Sequence, residues 1–391
     1  MQRITEFEGL RAILAWWVVW GHLLQNSGFV NPNAVPIPVS WLLANGYAVD
    51  LFIILSGFVI FLLLDSNPNK TYFQFMAERF FRIYPLFILT LIAGLLLTPI
   101  KVSVFGDGGW HDLEFAGRML ARIGYEYDYF VVHIISHLTL LQGLIPDQLV
   151  PDSSVAFLGP AWSLSLEWQF YLVAPLLILC VRRSLLLSFL IVLTAAVVNK
   201  LLFLAELDFG YGSFLIVKFK FFVVGILSYY ACKFSQTHSS KVRQFFPFLS
   251  TSLIIITILC IYSPSRTIVE IAIPMTIWLI TLSVVLARLV QINFLPFKAI
   301  ETVLNHPLLQ QLGRVSYSTY LAHIPIFLVL MWAFMQFNPD VQRGAMLMFL
   351  GLVGSVVVTA ISFVLYYRVE KPCMQFGKQM SKQMTAKTIP I

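Results

Sequence analysis

The sequence predicts an all-α polytopic membrane protein with about ten transmembrane helices and both termini in the cytoplasm. Of its 391 residues, 59% are hydrophobic and only 12% are charged. The mean hydropathy of +0.82 lies outside the range of soluble domains. Apolar runs of about 20 residues, enough for a helix to cross a bilayer, recur along the chain. The predicted spans are 8–26, 41–64, 83–100, 162–181, 185–205, 214–232, 246–263, 268–288, 316–337 and 345–367.

The distribution of charge sets the predicted topology. If the N-terminus is cytoplasmic, most of the 26 Lys and Arg residues fall on cytoplasmic segments and helix ends, as the positive-inside rule requires. The net charge of +7 is then explained by topology, and nucleic acid is not expected as a partner. Contacts with membrane lipids are expected, and the oligomeric state is not predicted.

We expect residues 1–391 to form a single membrane domain. Within it, 101–161 is predicted as a long extracytoplasmic loop and 371–391 as a basic cytoplasmic tail. The run HIISHLTLLQGL at 133–144 is too short and polar to cross the membrane, so it either lies on the surface or dips back in. An acidic, aromatic loop outside the membrane could contact a polar acceptor such as a sugar.

Two ionisable residues lie in the first apolar run. Arg11 and His22 are eleven residues apart, which on a helix is about 20° beyond three full turns, so they share one face roughly 16 Å apart. An ionisable side chain inside a bilayer is costly unless it faces a polar interior, which indicates a functional site. The alternatives are that Arg11 is a snorkelling anchor and that His22 is a hydrogen-bonded packing residue.

Two carboxylates are predicted within later spans. Asp50 lies near mid-depth in the second span and needs a partner. Glu167 is expected at the depth of His22, where a carboxylate would orient the imidazole as a general base requires. The alternative for Glu167 is that it is a buried partner for an arginine.

The third span begins with two arginines one turn apart, Arg79 and Arg82. Their planar donors suit phosphate oxygens, and the alternative is a positive-inside anchor. In the ninth span Tyr320 and His323 share a face near the predicted inner end, where they either line a cavity or serve as interface and packing residues. No His, Cys, Asp or Glu residues have a spacing that indicates a metal site, so none is expected.

Seven motifs in order resemble the acyltransferase-3 family of integral-membrane O-acyltransferases, which modify bacterial polysaccharides and other exported glycans. They are GLRAILAWWVVWGH, VDLFIILSGFVI, RFFRIYPL, WSLSLEWQFY, KFKFFVVGIL, LGRVSYSTYLAHIPI and YYRVEKP. The resemblance implies ten core helices in the bacterial cytoplasmic (inner) membrane, an acyl-CoA donor from the cytoplasm and a glycan acceptor on the far side. The sequence departs from the family pattern at Glu8, where Asp is frequent, and at Trp168, where a second acid is common.

The resemblance also implies residue roles. We expect transfer of an acyl group, acetyl by preference, with His22 as general base or acyl carrier and with Glu167 and Asp50 orienting or balancing the imidazole. The residues expected to bind the CoA phosphates are Arg11, Arg79 and Arg82, and those expected to support the substrate are Trp162, Ser163, Tyr320 and His323.

A membrane transporter is the competing interpretation. Intramembrane Arg, Asp and His residues also mark the pathways by which a glycan or an anionic metabolite crosses without chemistry. The sequence shows neither an inverted repeat nor Gly/Pro-broken helix pairs at matching positions, which favours the enzyme.

Overall fold

The computed structural model describes residues 4–28, 37–107, 114–237, 268–338 and 342–384. Within these ranges all regular structure is helical. The helices are α1 Glu6–Asn26, α2 Ile37–Leu43, α3 Gly46–Asp65, α4 Tyr72–Leu96, α5 Thr98–Val102, α6 Glu114–Asp128, α7 Phe130–Leu138, α8 Ala161–Arg183, α9 Leu185–Leu204, α10 Leu215–Thr237, α11 Ile268–Leu289, α12 Leu295–Leu304, α13 Pro307–Arg314, α14 Ser316–Phe337, α15 Arg343–Phe349, α16 Ser355–Leu365 and α17 Lys371–Gln383.

In the described residues eight helices are long and apolar enough to cross a membrane, as expected of an integral membrane protein. They correspond to predicted spans two to six and eight to ten. The first predicted span is the helix α1, but its polar residues lower its hydropathy below that of the other eight. The predicted span 246–263 lies outside the described residues.

Two helices are longer than the hydropathy pattern predicted. α4 begins eleven residues before the predicted span because Thr71 and Gln74 form a capping box, in which each side chain accepts from the other's backbone N–H. At the other end of the chain, π-helical turns join α15, α16 and α17 into one helix that continues to Gln383. Much of the predicted tail is therefore helical, and Phe376 packs on Phe81 of α4.

Glycines let α3 and α10 approach closely, which sets the position of the site residues on both helices. A Cβ on Gly225 would lie 2.0 Å from the carbonyl oxygen of Ile54, and one on Gly57 would lie 2.4 Å from that of Phe222. The backbones are thus in direct contact, as small residues permit between membrane helices.

We expect Gly225→Ala to destabilise the protein by about 1–3 kcal/mol, because the added methyl group overlaps backbone atoms that cannot move aside. Gly117→Ala is the matched control, since a Cβ on that helical glycine would meet nothing within 4 Å. Thermal unfolding in detergent measures both. Equal melting temperatures for the two variants would show that the α3–α10 contact is looser than described.

The predicted loop 101–161 contains two helices and a folded segment. After α6 and α7, residues 139–160 fold into the body of the protein, where Leu140 and Gln142 are fully buried. Phe157 lies so close to α4 that a Cβ on Gly94 would be 2.3 Å from its carbonyl oxygen. This segment ends at Pro160, the N-cap of α8, so that α8 begins beside buried structure.

Candidate functional site

The two histidines predicted on different spans meet in the structure. His22 of α1 and His323 of α14 lie with Nδ1 and Nε2, respectively, 2.8 Å apart, and their ring planes differ by only 8°. His323 is fully buried and His22 is half-buried. His323 therefore occupies the position beside His22 at which the sequence had placed a carboxylate.

The hydrogen bonds assign the ring protons of the pair. Nδ1 of His323 lies 3.2 Å from the carbonyl oxygen of Thr319, which can only accept, so that nitrogen carries the proton. A neutral His323 then presents the lone pair of Nε2 to the Nδ1–H of His22. Nε2 of a neutral His22 is left with its lone pair and makes no hydrogen bond to any described residue.

His22 lines a cavity that we call the histidine cavity, together with Lys101, Arg122, Glu126, Trp162 and Tyr211. Its volume of about 140 Å³ is large enough for several water molecules. Lys101 lies 3.6 Å from Glu126, and Arg122 lies 3.3 Å from Asp152. Burial lowers the pKa of Lys101, and the adjacent Glu126 carboxylate opposes that shift.

A second cavity, the arginine cavity, is lined by Arg11, Arg82, Glu167, Ser163 and Tyr320. Apolar side chains of α3 and α10 form much of the rest of its wall. The structure thus brings together one arginine from the first predicted span and one from the third. Its volume of about 90 Å³ again admits several water molecules.

The carboxylate of Glu167 lies in the arginine cavity and not beside His22. It accepts hydrogen bonds from Tyr171 and, at 3.4 Å, from Ser56, and it interacts electrostatically with Arg11 and Arg82. Glu167 therefore does not lie beside His22 as predicted, and that prediction had assumed that α8 starts at the membrane surface. α8 instead starts next to the buried segment 139–160.

Arg79 and Arg82 have different surroundings although they share a helical face. Arg82 lines the arginine cavity and donates a weak hydrogen bond, at 4.0 Å, to the sulfur of Met374. The Arg79 guanidinium lies 5.7 Å from the ring centroid of Tyr171 and 5.8 Å from that of Phe75. Its buried Nε has no hydrogen-bond partner among the described residues.

Asp50 is buried beside Lys218 of α10, with which it forms an ion pair. The Lys218 ammonium also lies 5.8 Å from the ring centroid of Trp162, within the range of a cation–π contact. Lys218 therefore contacts both Asp50 and Trp162. The sequence had paired the aspartate with the imidazole of His22 instead.

A pair of hydroxyl groups separates the two cavities. Ser163 Oγ lies 2.8 Å from Tyr320 Oη, and both hydroxyls are within hydrogen-bond distance of the carbonyl oxygen of Pro160. Ser163 and Tyr320 line the arginine cavity, whereas Pro160 lines the histidine cavity. The ring of Tyr320 is 6.3 Å from that of His323, so this hydroxyl pair lies next to the histidine pair.

The model of the acyltransferase-3 family, described as an acyltransferase domain, matches residues 4–367. The chain belongs to this family. An acyltransferase named MdmB from Streptomyces mycarofaciens is 28% identical over 182 residues, which cover 46% of this chain and 41% of that protein. The match thus spans less than half of the relative's length. No solved structure matches the chain.

The site contains residues of the sequence motifs together with residues that the sequence did not single out. The motifs contain both histidines and both hydroxyls between the cavities. Sequence reasoning missed Lys218 as the partner of Asp50, although a lysine within an apolar run was a visible signal. It also missed three side chains of the histidine cavity, namely Lys101, Arg122 and Glu126, which belong to the predicted loop.

Proposed function

We propose that the protein transfers an acyl group, acetyl by preference, from cytoplasmic acyl-CoA to a hydroxyl of an extracytoplasmic or lipid-linked glycan in the bacterial inner membrane. The observation that carries the proposal is the hydrogen bond between His22 and His323, which leaves Nε2 of His22 unprotonated at the histidine cavity. A nitrogen lone pair in a polar cavity is what a general base or a nucleophile requires.

The arginine cavity suits the donor. In the proposal, Arg11 and Arg82 bind phosphate oxygens of CoA, since planar guanidinium groups form paired hydrogen bonds with phosphate. The thioester end would then reach Ser163 and Tyr320, where a hydroxyl can donate to the carbonyl oxygen that becomes negatively charged. Arg79 lies outside this cavity, and in the proposal it contributes through its cation–π contact with Tyr171.

The histidine cavity suits the acceptor. Nε2 of His22 removes the hydroxyl proton as the acceptor oxygen attacks the thioester carbonyl, the C–S bond breaks, and His22 returns the proton to the departing thiolate. Alternatively, Nε2 itself attacks the carbonyl, and the C–S bond breaks to release the CoA thiolate. The acceptor hydroxyl then attacks the acyl group, the bond between that group and Nε2 breaks, and the hydroxyl proton passes to the thiolate. His323 holds the ring of His22 in the required tautomer in both routes.

Release of free CoA thiol by the purified protein tests the proposal. With acetyl-CoA and extracted envelope glycan, we expect the wild type to release CoA and to form an ester in equal amounts. CoA release without ester, or the absence of both reactions, would contradict the proposal.

We expect Arg82→Ala to raise the KM for acetyl-CoA about tenfold or more, because it removes a charge-assisted phosphate contact. The KM of Arg82→Lys should lie between those of the wild type and Arg82→Ala, since an ammonium keeps the charge but loses the paired hydrogen-bond geometry. Arg183→Ala is the control, because Arg183 is an exposed arginine that does not line the cavity. A KM for Arg82→Ala equal to that of the control would exclude Arg82 from donor binding.

A further inference from the structure

The loop between α9 and α10 adds an aromatic wall to the histidine cavity. The Tyr211 ring lies parallel to the Trp162 ring within 23°, at a centroid distance of 5.8 Å. Trp162 is nearly buried, whereas Tyr211 is 59% exposed. Tyr211 thus stacks on Trp162 and still leaves more than half of its own surface exposed.

The backbone at Tyr211 is held in an unfavourable conformation. Tyr211 has φ +60° and ψ 7°, in the left-handed region that non-glycine residues rarely adopt. The loop is fixed by hydrogen bonds to the segment after α7, including Asp147 N–H to the Asp208 carbonyl and Gln148 Nε2 to the Glu206 carbonyl. Such strain persists where the surrounding structure imposes it, frequently at ligand sites.

One carboxylate oxygen in the histidine cavity lacks a partner. Glu126 is 3% exposed, and its Oε1 accepts a hydrogen bond from the Phe157 N–H. Its Oε2 is buried and has no hydrogen-bond partner in the described part of the chain. A buried oxygen of this kind is normally satisfied by water or by a ligand donor, such as a hydroxyl group.

The charges around the cavity balance. Lys101 is paired with Glu126, and Arg122 is paired with Asp152 and also interacts with the Tyr211 hydroxyl. Among the described residues, both cations that line the cavity thus already have a carboxylate partner, and no unpaired cation is left to attract a negatively charged ligand.

We infer that the histidine cavity binds an uncharged sugar residue of the acceptor, with the sugar ring against the exposed ring of Tyr211 and a hydroxyl donating to Glu126 Oε2. This inference rests on the proposed acyl transfer and names the acceptor residue that the transfer site selects. Tyr211, which the strained loop holds against Trp162, is the specificity-determining residue. Trp162 is itself in cation–π range of Lys218, which is paired with Asp50.

Saturation-transfer NMR on the purified protein tests the inference with methyl β-D-glucopyranoside and methyl β-D-glucuronide as probes. We expect the glucopyranoside to bind saturably and about fivefold or more tightly than the glucuronide, because both cations of the cavity already have carboxylate partners and none is free to pair with the carboxylate of the glucuronide. No saturable binding of the glucopyranoside, or binding of the glucuronide as tight or tighter, would overturn the inference.

Tyr211→Gly tests the aromatic wall without adding backbone strain, since glycine adopts a positive φ freely. We expect it to weaken glucopyranoside binding about tenfold, Tyr211→Phe to retain binding, and Tyr127→Ala, which removes another exposed tyrosine, to have no effect. Wild-type affinity in Tyr211→Gly would overturn the role of Tyr211. His22-dependent CoA release, measured on the same preparations, reports separately on the proposed acyl transfer.

Discussion

His22→Ala should lower the rate of acyl transfer by about a thousandfold or more, with little change in protein yield or in acetyl-CoA binding. His22 carries the nitrogen lone pair that faces the histidine cavity, and a positioned general base contributes about 10²–10⁴ in rate. The donor cavity is lined by other residues and is expected to stay intact. Steady-state kinetics, with the acetyl-CoA dissociation constant measured separately, would separate the two effects.

Gln25→Ala provides the matched control for this variant. Gln25 lies on the same helix and lines the same cavity, but its side chain offers no base. We expect its rate to stay within about tenfold of the wild type, because it removes at most a hydrogen bond to the acceptor. Comparable rates for His22→Ala and Gln25→Ala would remove His22 from the chemical step.

His323→Phe should lower kcat about a hundredfold while leaving the KM for acetyl-CoA unchanged. Phenylalanine preserves the ring next to His22 but cannot accept the Nδ1–H of His22, so the imidazole loses its fixed tautomer and orientation. The loss resembles that of an orienting group in a catalytic triad, although here the partner is a second imidazole and not a carboxylate.

A conservative variant distinguishes this positioning role from a purely structural one. In His323→Gln the side-chain oxygen can accept the hydrogen bond that Nε2 accepts in the wild type. We expect it to recover at least about a tenth of the wild-type kcat. If His323→Gln and His323→Phe are equally impaired while both remain folded, His323 acts through packing alone.

The fold was largely predictable because its helices are set by local properties of the chain. Apolar runs of membrane length predicted both ends of α8, α9 and α14 to within two residues, and those of α3 to within five. The ends of α4 and α17 were missed because capping and docking extend a helix beyond its apolar part. Hydropathy does not record either effect.

The site was predictable in its residues but not in its pairs. The motif residues Arg11, His22, Arg82, Ser163 and Tyr320 all line one of the two cavities. Their partners depend on which helices pack together and on how far each helix is shifted along its axis relative to its neighbours. The partners therefore lie far apart in sequence. His22 and His323 are 301 residues apart, and Asp50 and Lys218 are 168 apart.

Helix α8 shows why the position of a helix along its axis is hard to predict from sequence. Its apolar run alone suggested a start at the membrane surface, which would place Glu167 near His22. The buried segment before Pro160 shifts that start, and Glu167 meets the arginines instead. Proximity to arginine is one part of the alternative interpretation of Glu167, but its side chain is only half-buried.

The central claim is that a donor and an acceptor enter opposite cavities and react at His22. Proteoliposomes test it directly, with labelled acetyl-CoA added outside and extracted envelope glycan trapped inside. Vesicles that hold the protein in one orientation are compared with vesicles that hold it in the opposite orientation. We predict that labelled ester forms on the trapped glycan only when the end of α1 that carries Arg11 faces the donor, and that His22→Ala forms none. Glycan that crosses the membrane without gaining label, to the same extent in wild type and His22→Ala, would contradict the claim and indicate a transporter.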